Sequence, residues 1–213
     1  MDWELIIRHL FCGTVPAFVI LALYFSITNK RSASPFGHII AAFLFCFYLV
    51  GILTMAGVWH HLTVFAPRIV MIPFVDMIRG PVDTALNILL FVPLGLFLPM
   101  LYKSFDRIGK AAAAGFIISL SIEAVQMFGC GTTDINDLLT NTAGACIGFC
   151  ISNRLCRVIP RSWIKTIRMY GAQGRYEPAL IYMIVLGVMI TIQPFLYDLW
   201  FAAGSGGEIS VWK

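Results

Sequence analysis

In a chain dominated by apolar residues, Asp83 and Asn87 stand four apart, and Glu123 and Gln126 three apart. Asp134, Asp137 and Asn141 follow at intervals of three and four. Within a helix such spacings put residues on one face. Carboxylates and amides grouped this way could grip the polar groups of a ligand. Paired acids such as Glu123 and Asp137 could also pass protons as general acid and base, and a metal held by acids is conceivable. There is no G-x-S-x-G, no H-E-x-x-H and no strong nucleophile–base signature. His60 and His61 are adjacent, so they cannot share a helix face. No catalytic residue, metal site or cofactor is assigned.

The elements that must carry these residues are membrane spans. The sequence is 59% hydrophobic and only 12% charged, with a mean hydropathy of +0.85 over 213 residues. Soluble domains carry about 25% charged residues. At about 20 apolar residues per crossing, six runs qualify: about Leu10–Ile27, His38–Ala56, Val82–Tyr102, Ala111–Phe128, Asn136–Cys156 and Ala179–Trp200. The expected fold is an all-α, polytopic transmembrane helix bundle of about six spans, one integral membrane domain over residues 1–213. The third span contains Pro93 and Pro99 and should kink. Between spans two and three, "VWHHLTVFAPRIVMIPF" is rich in prolines and aromatics, which suggests a partly re-entrant or interfacial segment. The N-terminus lacks a cleavage site and reads as a retained first span.

Cations sort by connection. Lys30, Arg31, Lys103, Arg107, Lys110, Arg154, Arg157, Arg161, Lys165, Arg168 and Arg175 fall on one side, against Arg8, Arg68, Arg79 and Lys213 on the other. The positive-inside rule makes the first set cytoplasmic and puts both termini outside. No basic stripe of the kind that binds nucleic acid is present. The polar groups then gather at the outer end of the bundle. Six cysteines show no zinc-like spacing and read as packing residues, with Cys12–Cys130 the one disulfide pairing to check.

Two spans carry matching stripes. In span four Ala111, Gly115, Ser119 and Glu123 recur every four residues. In span five Asp137, Asn141, Gly144, Gly148 and Ser152 repeat at three and four. Small residues let helices approach closely in lipid, so spans four and five should pack with their polar ends meeting. Glu123 lies roughly 7–8 Å inside the apolar layer at about 1.5 Å per residue. An acid in that layer costs up to about 2.5–3.5 kcal/mol on insertion scales, so it should face the interior or an aqueous cavity, paired or protonated. Gln126, Asn87 and Asn141 are its neutral candidates for partner, and Arg68 and Arg79 its cationic ones. Plainer roles are open too: Asp134 or Thr133 as a helix cap, and Asn87 and Asn141 as interhelical hydrogen bonds.

Three ordered stretches, "LNILLFVPLGLFLP" (Leu86–Pro99), "SLSIEAVQMF" (Ser119–Phe128) and "GTTDINDLLTNTAGACIG" (Gly131–Gly148), resemble the VanZ-like family of integral membrane proteins. The motif core is about residues 65–152. The match puts Asn87, Phe91, Pro93, Gly95, Glu123, Gln126, Asp134, Asp137, Asn141 and Gly144 on motif positions. The resemblance implies a multi-span protein of the bacterial cytoplasmic membrane, acting in the cell envelope and contributing to glycopeptide (teicoplanin) resistance. It implies no established catalytic residue, cofactor or substrate. The leading expectation is an outward-facing polar pocket of Asp83, Asn87, Glu123, Gln126, Asp134, Asp137, Asn141, Arg68 and Arg79. Its ligand would be a membrane lipid, a lipid-linked cell-wall precursor or a lipophilic glycopeptide. The alternatives are an intramembrane enzyme modifying such a precursor by carboxylate acid/base chemistry, and a small transporter.

Overall fold

A computed structural model describes residues 3–28, 35–58, 69–70, 80–128 and 133–204. Five long helices dominate: α1 (Trp3–Thr28), α2 (Phe36–Met55), α3 (Pro81–Leu101), α4 (Ile108–Gln126) and α5 (Ile135–Val158). A short α6 (Arg161–Ile167) follows, then α7 (Gln173–Gly187), which runs through a π-helical turn (Val188–Ile192) into α8 (Gln193–Gly204). Boundaries follow local chemistry. Pro81 opens α3, where its missing N–H costs nothing. Gly57, at φ 74°, lets the chain turn out of α2, with Val58 N–H returning to Leu53 O at 2.9 Å.

Among the described residues five helices are long and apolar enough to cross a membrane: α1, α2, α3, α4 and the continuous Gln173–Phe201. The sequence expectation was six. The sixth, α5, has the length (24 residues) but not the apolarity, because Asn136, Asp137, Thr140, Asn141 and Ser152 lie along it. These residues are buried or half-buried against neighbouring helices, so the helix hides polar groups that a lone span would show to lipid. The rest of the bundle is largely apolar inside and out, as suits a membrane-embedded fold. In α1, Ala17 and Leu21 are fully buried while Phe11, Val19 and Leu23 on other faces are exposed.

The helices alternate in direction, so their ends collect into two layers. One layer holds the end of α2, the start of α3, the end of α4 and the start of α5. There Gln126 Nε2 donates to Ala56 O at 2.8 Å and Asn87 Nδ2 to Asp137 Oδ1 at 2.6 Å. Ile69–Val70 (β1), from the connection before α3, pairs in parallel with Thr133–Asp134 (β2). That brings part of the connection against the entry to α5; the rest of its path lies outside the described residues. The opposite layer carries Lys103, Lys110, Arg154, Arg161, Lys165 and Arg175 and is tied by backbone bonds from Lys103 N to Met169 O and from Met169 N to Leu101 O.

Helix α3 remains one helix through Pro93 and Pro99. Pro93 supplies no N–H to the ladder, and the Tyr48 hydroxyl of α2 enters there, donating to Leu90 O at 2.7 Å and accepting from Leu94 N–H at 3.0 Å. Side-chain insertion of this kind is a recognised way to accommodate a helix irregularity.

Candidate functional site

The stripes of α4 and α5 meet in antiparallel register. Glu123 Oε2 accepts from Asp134 N–H at 3.0 Å, and Asn141 Nδ2 donates to Ser119 Oγ at 2.9 Å. Deeper, Gly115 faces Ala145. The two sequence stripes thus become one seam that is polar at one end and small at the other. Glu123 is 2% exposed and Asn141 7%. A carboxyl that is buried this deeply must be met by donors or by a proton, and the Asp134 backbone supplies one donor.

The closest neighbour of α5 is nevertheless α3, which runs parallel to it. A methyl group on Gly144 would collide with the Ile88 carbonyl, on Gly148 with the Val92 carbonyl, and on Gly95 with the Ala145 carbonyl. Gly144 and Gly148, expected to serve the contact between spans four and five, therefore serve chiefly this second contact, while Gly115 serves the expected one. At its polar end lies the Asn87–Asp137 hydrogen bond. Two helices, α3 and α4, thus converge on the first turn of α5.

The proposed site residues that the structure describes each have a definite place. Asp134 caps α5, its Oδ1 accepting from Asn136 N at 2.8 Å and from Asn136 Nδ2 at 2.9 Å, the plainer role allowed for it. Asp137 is bound to Asn87, and Asn141 to Ser119. Gln126 turns away from Glu123 and satisfies a terminal carbonyl of α2. Asp83 is exposed. It lines, with Asn87, Tyr48, Met55, Leu86 and Pro93, a groove of about 500 Å³. Arg68 and Arg79 lie outside the described residues, as do Cys130, His60 and His61. Cys12 is a buried free thiol. The Oδ1 of Asn141 and the Oε1 of Gln126 are buried with no hydrogen-bond partner among the described residues.

A second polar cluster, in the opposite layer, was not anticipated. His38 Nδ1 lies 2.8 Å from Ile167 O, and His38 Nε2 lies 2.5 Å from Glu177 Oε1. Since a carbonyl can only accept, the ring carries hydrogen on Nδ1, and a further proton must lie between Nε2 and the carboxyl oxygen. Tyr102 donates to the same carboxyl at 3.1 Å and Tyr24 to its other oxygen at 3.5 Å. Both His38 and Glu177 are fully buried, so the cluster reads as a clamp between α1, α2, α3 and α7. Its only sequence signal is a solitary acid beside Pro178 at the edge of an apolar run.

With this geometry in hand, the chain can be set beside known proteins. A family model described as VanZ/LLP1 matches residues 10–157. The chain is 38% identical over 63 residues to Protein VanZ of Enterococcus faecium, a stretch that covers 29% of this chain and 38% of that protein. No solved structure matches.

Proposed function

Because the chain belongs to the VanZ/LLP1 family, we propose that it is a multi-pass protein of the bacterial cytoplasmic membrane that contributes to teicoplanin resistance. Its polar recess faces outward and binds a lipid-linked cell-wall precursor or a lipophilic glycopeptide. The observation that carries the reading is the convergence of Glu123, Asp134, Asp137, Asn87 and Asn141 from three helices, with Asn87 also lining, beside Asp83 and Tyr48, a groove whose other walls are apolar. Such a recess suits an amphiphile: Met55, Leu86 and Leu89 face a hydrocarbon portion, while carboxylate and amide oxygens accept from hydroxyl, amide or ammonium groups. The unpartnered oxygens of Asn141 and Gln126 are acceptors still to be satisfied. A phosphate on the ligand would need a cation, and Arg68 or Arg79 would supply it.

Sidedness in this reading rests on the cations: the layer opposite the recess holds the described Lys and Arg residues of the cytoplasmic set, which leaves the recess and both termini outside. The function test is resistance itself. In a teicoplanin-sensitive host, the wild-type chain should raise the antibiotic concentration tolerated. Glu123→Gln, expressed at the same level and equally stable, should not. If that variant protects as well as wild type, the recess is not where the protein meets its target.

A further inference from the structure

We propose that the groove between α4 and α7, at the cationic end of the bundle, binds one anionic phospholipid, with the phosphate held by Arg175 and Lys110 and an acyl chain lying between the helices. Helix α4 packs chiefly on α5, and α7 on α1 and α2. The two helices therefore part, leaving a cavity of about 570 Å³. Its mouth is Lys110, Arg175 and Ser104; its walls are Ala113, Ala114, Ile117, Pro178 and Ala179. Across the deep end, the hydroxyls of Ser121 and Tyr182 hydrogen-bond to each other, so they offer the cavity no competing polar group.

Length supports a lipid. Lys110 and Ile118, the first and last residues of α4 that line the groove, are eight positions apart, so the groove runs about 12 Å at about 1.5 Å per residue. That is most of the depth of one leaflet, half of a hydrocarbon core about 30 Å thick. A phosphate at the mouth would put the upper part of its acyl chain along alanine-rich walls, pointing toward the midplane.

Charge supports an anionic headgroup. Lys110 Nζ donates to Ser104 O at 2.5 Å and stands 3.9 Å from Asp106. Asp106 is the acid nearest the mouth, and it is engaged more closely by Lys103, at 3.3 Å. The hydrogen bond from Lys103 holds the Asp106 carboxyl below the usual carboxylate range. Glu177, beside Arg175 in sequence, is turned inward to His38 and Tyr102. The guanidinium of Arg175 is exposed and forms no ion pair among the described residues. It is free to take two phosphate oxygens at once.

The test is native mass spectrometry of the purified full-length chain titrated with phosphatidylglycerol or phosphatidylcholine. Phosphatidylglycerol should bind at least tenfold more tightly. The double variant Lys110→Gln/Arg175→Gln should erase that preference, and both positions are exposed enough for the fold to survive. Arg161→Gln, a cation of the same layer outside the groove, should leave it intact. Ala114→Phe, which fills the groove, should weaken binding of either lipid at least tenfold. Equal affinity for the two lipids would overturn the proposal. So would loss of the preference in Arg161→Gln, which would mean diffuse surface charge. Full displacement by glycerol 3-phosphate would also overturn it, by showing a site for a free phosphate ester, not a lipid.

Discussion

At the residue scale, the recess is held together by hydrogen bonds between side chains whose alternatives to pairing are poor. Asn87 and Asp137 are half-buried between helices, and each satisfies the other at 2.6 Å. Interhelical hydrogen bonds within membranes contribute about 0.6 kcal/mol on average and up to about 1.7. A double-mutant cycle with Asn87→Ala and Asp137→Ala, read by thermal unfolding in detergent, should return a coupling of that size. A coupling indistinguishable from zero would mean that the two groups are near each other without supporting each other. Gln126 belongs to a different contact, the α2 terminus, so Gln126→Ala should add independently to either substitution.

At the element scale, the decisive feature is how near α3 and α5 come. Carbonyl groups of Ile88, Val92 and Ala145 occupy the space where side chains of Gly144, Gly148 and Gly95 would stand. Gly148→Ala should therefore force backbone apart and cost about 1–3 kcal/mol, the usual penalty for overpacking. Gly51 in α2 has nothing within 4 Å of a built Cβ. Gly51→Ala should be neutral or stabilising by up to about 1 kcal/mol, since alanine is the better helix former. Comparing the two melting curves isolates packing from helix propensity. If both variants melt alike, the α3–α5 contact is looser than described.

At the scale of the whole molecule, the buried His38–Glu177 pair joins helices from opposite ends of the chain. Removing one partner of a buried pair leaves the other uncompensated and costs about 3–5 kcal/mol. Glu177→Ala should accordingly lower the unfolding temperature steeply. Glu4→Ala, at a side chain that is 82% exposed, should shift stability by no more than about 0.5 kcal/mol. A Glu177→Ala protein that melts like wild type would show that the clamp bears no strain. Sidedness is tested on a chain with its native cysteines replaced. Cysteine at position 132 should react with an impermeant maleimide in intact cells, and cysteine at position 165 only after permeabilisation. The reverse pattern would put the recess in the cytoplasm.

The sequence by itself determined the class of the fold, the positions of the long helices and the seam between α4 and α5. Hydropathy and three- or four-residue spacing are local properties, and both survive folding unchanged. Spacing also grouped Glu123, Asp137 and Asn141 on the faces that meet. It could not say that Glu123 would take the backbone of Asp134, that Gln126 would serve α2, or that the glycines of α5 would accept α3. Nor could it find the pairing of His38 with Glu177. Most of those contacts join residues far apart in the chain, and all of them cross from one element to another, so only the three-dimensional packing chooses among partners that local pattern leaves equivalent. The polarity of α5 marks the same division: read alone it is too polar to span a membrane, and only the helices packed around it supply the surfaces that hide its amides and acids from lipid.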